Sequence, residues 1–148
     1  MSWPVAVDSI PARIAAVQAA LAAALPARRV TRDFLAIDRR QDTDLLAGVV
    51  TLIAAGEGGY AAGPGMSARH GVTHLVLACH LRVADDAAPS AVEDTENALI
   101  EEIKAFVRAG VAGVTLTLDR VDQSRQIEHP YGWVVAHVQA GPPKASTH

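Results

Sequence analysis

Ile10, Ile14, Val17, Leu21 and Leu25 recur at spacings of three and four, which places them on one stripe of a helix. Ser9 is a good N-cap for it, Pro11 is tolerated in its first turn, and Pro26 ends it. Arg13 and Gln18 are the strongly polar residues on the other side, which is otherwise mostly alanine. Such a face suits close contact on more than one side, as in an oligomer, and it equally suits an alanine-rich chain, 29 residues of 148. A second helical pattern runs from Ser90 to Arg108, with Val92, Thr95, Leu99, Ile103 and Phe106 as the buried stripe and Glu93, Asp94, Asn97, Glu101 and Lys104 turned to water. Ser90 and Glu93 have the spacing of a capping box, and Gly110 and Gly113 follow as stop signals.

The strand patterns have period two. From Val72 to Ala84, Leu75, Leu77, Cys79, Leu81 and Val83 share one face, while His74, Val76, Ala78, His80 and Arg82 share the other. Arg28–Phe34 is a short strand candidate, followed by a polar turn around Asp38 to Asp44. The apolar run 45–55 reads as another strand, 114–121 alternates leucine with threonine, and 133–140 is the last strand. Between them, 56–71 holds six glycines and one proline and reads as a flexible loop rather than a regular element; 141–148 reads as a disordered tail. The expectation is a single α+β domain with its core in about 9–140: a mostly antiparallel sheet of four to five strands with two helices packed on one face.

Composition narrows the function. The net charge of −3 argues against tight binding of free DNA or anionic lipid, and no window is long and apolar enough for a membrane span. Ser2-Trp3-Pro4 does not read as a secretion signal, and a lone Cys79 inside an apolar run suits a reducing compartment and an inert, buried thiol. Aromatic residues make up 4% of the chain, so Leu, Val, Ile and Ala must fill the core.

Candidate chemistry is sparse. His74 and His80 share a strand face yet lie six residues apart, about 20 Å along a strand, too far to chelate one metal. Cys79 and His80 are adjacent on a strand and point to opposite faces, so they form no nucleophile pair. Ser67 and Ser124 lack a glycine elbow, and the glycine clusters lack the spacing of a phosphate loop. These readings give no catalytic residue, no metal site and no cofactor. What stands out is Ser124–Val138, SRQIEHPYGWVVAHV, where Arg125, Glu128, His129 and Tyr131 gather around a Pro-Gly turn. They suit a docking surface, and they also suit a tight turn with Glu128 paired to Arg125 and Trp133 in the core. The arginines Arg28, Arg29, Arg32, Arg39 and Arg40 cluster among Asp33, Asp38, Asp42 and Asp44, a charge-balanced group that favours salt bridges across a subunit boundary over a nucleic-acid face. Arg69 and His70 join these as candidate interface residues.

The alanine-rich first helix, the strand with LRVADDAAPS leading into AVEDTENALIEEIKAFV, and SRQIEHPYGWVVAHV together resemble the tail terminator and minor tail proteins of long-tailed bacteriophages, over most of residues 9 to 140. The resemblance implies an α+β fold without catalytic residues and a ring, expected to be a hexamer of this chain. That ring would cap the completed tail tube, end tube polymerisation and offer the surface to which the head docks. The implied partners are copies of itself, the tail tube protein and a head-completion or neck protein, with DNA passing through the ring without sequence-specific binding. The implied location is the head-proximal end of the virion tail, after assembly in the host cytoplasm. The alternatives are another head–tail joining or tail-completion protein, or a small α+β ligand-binding domain or enzyme using His74, His80 and His137.

Overall fold

A computed structural model describes residues 9–60 and 71–142. Helix α1 (Ile10–Ala24) leads to strand β1 (Arg29–Thr31); a 3-10 turn (Ile37–Arg39) and helix α2 (Asp42–Ala47) precede β2 (Val49–Gly58) and β3 (Val72–Arg82); α3 (Pro89–Ala109), β4 (Thr115–Gln123) and β5 (Tyr131–Gly141) complete the chain. The five strands form one sheet in the order β1-β2-β3-β5-β4, antiparallel except for the parallel β1–β2 pair. The fold is α+β, and α1 and α3 cover one face of the sheet, as the pattern predicts.

The stripe of α1 (Ile14, Val17, Leu21) and that of α3 (Val92, Leu99, Ile103, Phe106) meet the inward residues of β2, β3 and β5 in one core. On β3 those are Leu75, Leu77, Cys79 and Leu81, all buried, so the expected alternation holds. Ser9 caps α1 as expected, its Oγ accepting from the Ala12 amide at 3.3 Å.

Five local expectations are corrected. The run 45–55 is not one strand: residues 42–47 form α2, which ends at Gly48, whose φ of +88° breaks the apolar run. Helix α3 has no capping box, because Pro89 occupies the first turn and Ala88 is the N-cap without a side-chain bond. Proline's fixed φ and missing N–H fit that first position, so the helix begins ahead of Ser90. Strand β2 continues to Gly58, past the expected start of the loop, by way of a bulge between Ala54 and Glu57. The rest of that expected loop, 61–70, with Arg69 and His70, lies outside the described residues, as does 143–148. The tail begins later than expected, since β5 runs through Gly141, and the Thr115 hydroxyl donates to the Pro142 carbonyl at 2.8 Å. Trp133 is not in the core. The inward residues of β5 are Gly132, Val134, Ala136, Val138 and Ala140, and Trp133 belongs to the opposite, half-exposed set.

Among the described residues, two charges are buried on the helix-covered side. Arg13, 0% exposed, reaches one end of the sheet: its Nη1 donates to the carbonyls of Gly71 and Ala140 and to Thr73 Oγ1, with Glu57 Oε2 at 3.7 Å. Glu96, 0% exposed, lies at the other end, where its carboxylate accepts from the Ser124 hydroxyl, from the Trp133 amide at 3.0 Å and from Gln123 Nε2 at 3.4 Å. A Cβ on residue 132 would stand 2.7 Å from Glu96 Oε2 and 2.6 Å from Val92 Cγ1, so glycine there lets α3 approach β5. Burying a charge costs heavily unless hydrogen bonds replace water, and both groups have several.

Candidate functional site

The second face of the sheet is where the described surface departs from an ordinary solvated face. Strand alternation puts Thr31, Val49, Thr51, Ile53, His74, Val76, Ala78, His80 and Arg82 on it, together with Tyr131, Trp133, Val135, His137 and Gln139 from β5. Its β1–β2–β3 half is roofed by residues 33–47. Phe34 packs its ring against His80 at 5.6 Å, Arg40 Nη2 donates to Thr51 Oγ1 at 3.3 Å, and Arg82 Nη1 donates to Asp42 Oδ1 at 2.8 Å. Leu45 of α2 is buried beneath this roof with Val49 and Thr51.

The other half has no such roof among the described residues. Val76, Val135, Trp133 and His137 lie half-buried there, and at the lower corner Val121, Asp122, Gln123, Arg125, Trp133 and Val135 line an open groove of about 590 Å³. Asp122 stands 3.5 Å from Arg120 Nε and 3.6 Å from His137 Nε2. The five exposed large hydrophobic residues among the described residues are unevenly placed. Phe34 (56%), Leu35 (40%) and Leu46 (56%) belong to the roof, and Ile127 (71%) to the β4–β5 turn; Tyr60 is the fifth.

The arginine cluster divides by role. Arg28 is half-buried and ties β1 to α3 and α2, bonding both carboxylate oxygens of Glu102 and donating to the Ala47 carbonyl at 3.0 Å. Arg40 is likewise internal, its second contact being the Asp33 carbonyl at 2.9 Å. Arg29 forms a surface pair with Asp44 at 3.3 Å, both partners well exposed. Arg32 and Arg39 are exposed and make no ion pair among the described residues.

The turn 124–130 is held from several sides. The Tyr131 amide donates to the Glu128 carbonyl at 2.9 Å, Gln126 Nε2 donates to Glu93 at 2.9 Å, and His129 Nε2 lies 2.7 Å from the Ala87 carbonyl. The His129–Pro130 peptide is cis, and Arg125 and Gln126 have φ near +60°, a left-handed backbone seldom adopted by residues with side chains. The expected Arg125–Glu128 pair is absent among the described residues, and both side chains are exposed. Tyr131 instead accepts from Arg82 Nη1 at 3.2 Å and sits under its guanidinium, 5.2 Å from the ring centroid.

Glu96 is the site-shaping residue that sequence reasoning passed over, and Arg13, expected on the side of α1 away from its buried stripe, is instead fully buried. Glu96 sits four after Val92 and three before Leu99, on the apolar stripe itself, and that misplaced charge was the available signal.

The histidines do not converge. On neighbouring strands His74 faces Gln139, His137 faces Val76 and His80 faces Trp133, and no cluster of three potential metal ligands occurs among the described residues. Burial lowers the His80 pKa, the Arg40 charge lowers it further, and Glu128 partly opposes both. Burial pushes the Cys79 thiol up to about 12, partly offset by Arg28, which leaves it protonated and inert at neutral pH. No helix among the described residues is long and apolar enough to cross a membrane. No protein-family model matches the chain, and no curated protein matches it in sequence.

Proposed function

We propose that this chain is a structural assembly subunit that joins copies of itself into a ring, and that the ring is a phage tail terminator. In this reading the ring caps the tail tube, ends its polymerisation and presents the surface that receives the head through a neck protein. The observation that carries the reading is the asymmetry of the second sheet face, roofed at the β1 end and open at the β4 end, with exposed apolar side chains on the roof. Unlike ends on one subunit favour head-to-tail contact, and head-to-tail contacts that close make a ring. The α+β architecture agrees with what the resemblance to tail terminators implies.

Exposed Arg32 and Arg39 fit a subunit boundary or the wall of a passage for DNA, while a net charge of −3 suits a passage that does not grip it. The rival reading, a ligand-binding domain or enzyme built on His74, His80 and His137, gains no support from three residues placed opposite Gln139, Trp133 and Val76.

Electron microscopy of particles made without this gene is the direct test. Tails of uncontrolled length are expected, and normal-length tails that fail only to join heads would instead favour a joining protein. Particles indistinguishable from wild type would overturn the proposal.

A further inference from the structure

The roof over β1, β2 and β3 has two unequal parts. Its α2 end is anchored by Leu45, which is 1% exposed. The segment ahead of it, 32–40, buries no residue, and only Ile37 and Arg40 in it are half-buried. This segment meets the sheet through the Phe34 ring, 5.6 Å from that of His80, and through Arg40 Nη2, which donates to Thr51 Oγ1 at 3.3 Å. We infer that 32–40 is an acid-released strap, closed over the sheet while His80 is neutral and lifted when His80 takes up a proton. The inference goes beyond the proposed assembly role and does not depend on it.

The surroundings of the His80 ring favour its neutral form. Two buried side-chain nitrogens here, His80 Nδ1 and Arg40 Nε, have no hydrogen-bond partner among the described residues. A neutral imidazole can keep its one proton on Nε2, whereas the charged ring carries a proton on each nitrogen. Protonation under the closed strap therefore makes Nδ1 a buried donor with nothing to accept from it, at the full cost of its desolvation. It also adds a second positive charge near the Arg40 guanidinium. Glu128, on the β4–β5 turn, is the opposing charge, but it is exposed and water weakens its pull. Other acids nearby are engaged: Asp42 and Asp85 bond Arg82, two residues along β3, and Asp44 pairs with Arg29. Asp33 and Asp38, on the strap itself, are exposed. The ring's neighbours across the ladder, Val49 on β2 and Trp133 on β5, carry no charge. Burial first and Arg40 second lower the His80 pKa, with Glu128 opposing. Once the strap lifts, water reaches the ring and the ordinary value of 6.5 returns, so proton uptake favours the lifted state. Lifting uncovers Thr51 and Ala78, 0% and 8% exposed, and joins them to the unroofed half of the face at Val76 and Val135.

The test reads access to the sheet beneath the strap. Thr51→Cys is labelled with a thiol reagent between about pH 8 and pH 5, and each rate is divided by that of free cysteine at the same pH. Native Cys79, buried on the helix-covered face, reports global unfolding. The normalised rate should be low at the alkaline end and rise below about 6.5, by about tenfold per pH unit until the closed-state pKa is passed, because one proton is linked to opening. With His80→Asn added, the rate should be independent of pH, and Cys79 should stay unlabelled throughout. If Thr51→Cys reacts at the free rate even at the alkaline end, loss of the Arg40 bond has loosened the strap and Ala78→Cys takes its place. Free-rate labelling at 78 as well overturns the inference, since no closed state then exists. It is equally overturned by a rate indifferent to pH, by an acid rise that survives His80→Asn, or by labelling of Cys79 in step with residue 51, which is global unfolding.

Discussion

The two faces of the sheet are built by different rules. Under α1 and α3 the contacts are aliphatic and closed, and the two buried charges, Arg13 and Glu96, stand at opposite ends with hydrogen bonds in place of water. Under the 33–47 roof the contacts are mixed: Leu45 is buried with Val49 and Ala78, Arg40 bonds Thr51, Arg82 bonds Asp42, and Phe34 tilts against His80. Beyond the roof no described residue covers Val76, Trp133 and Val135, which are half-buried. The first face carries the core cluster, whereas the second is the one that the proposed function assigns to contact. Stability and assembly should therefore respond to separate sets of substitutions.

The largest effect is expected on the closed face. Leu99→Ala removes a fully buried side chain from the stripe of α3 and should cost about 3 kcal/mol, the middle of the range for large-to-small core changes. Val76→Ala, on the bare half of the other face, should cost about 1 kcal/mol or less, because less of its surface leaves water on folding. Urea unfolding of both variants measures the difference, and equal losses would mean that the second face is as much a core as the first.

Glu96 comes next. Glu96→Gln keeps the shape but turns one acceptor oxygen into a donor beside the Ser124 hydroxyl, the Trp133 amide and the Gln123 amide, all of which donate. A stability loss of about 1–3 kcal/mol is expected, the cost of leaving buried polar groups unmatched. The loss should be accompanied by faster hydrogen exchange in 124–130, since Glu96 holds both the start of that turn and the strand after it. Unchanged exchange there would show that Gln126, His129 and the backbone bonds hold the turn unaided.

The strands that alternate cleanly were legible from residue order. Strands β3 and β5 and helix α3 follow the periodicities of their apolar residues, and with them came the α+β class and the covered face. Parity was harder. Trp133 reads as a core residue in the turn, yet α3 comes so close to β5 that the inward position at this end is Gly132, and strand alternation then turns Trp133 outward. Helix α2 was hidden because Leu45 and Leu46 run into Val49 and Val50, with Gly48 as the lone marker of the break. Among the candidate interface residues, charge and clustering could not separate Arg28 and Arg40, which bond inward, from Arg32 and Arg39, which do not. That sorting depends on long-range partners such as Glu102 and Thr51, which local pattern does not encode.

A smaller effect concerns pH and belongs to the roof. His80 has its pKa lowered below the ordinary 6.5 by burial first and by Arg40 second, with Glu128 opposing. The unfolded chain therefore takes up this proton more readily than the folded one. Stability from this group is intact above 6.5 and falls as pH drops through the unfolded value toward the depressed folded one. In His80→Asn that part of the acid-side slope should vanish, as measured by thermal melting between neutral and mildly acidic pH. A wild-type slope retained in full would assign it to other groups.

The smallest effect is predicted for the arginine next to the most firmly tied one. Arg28 is half-buried and bonds Glu102 and the Ala47 carbonyl, whereas Arg29 meets Asp44 in open solvent, the side chains 66% and 39% exposed. Exposed pairs gain little, because water screens the attraction and two long side chains lose freedom in forming it. Arg29→Ala should shift stability by less than about 0.5 kcal/mol, the size of an ordinary surface change. A loss in urea unfolding as large as that of Arg28→Ala would mean that the Arg29–Asp44 pair anchors β1 to α2 as firmly as Arg28 anchors it to α3.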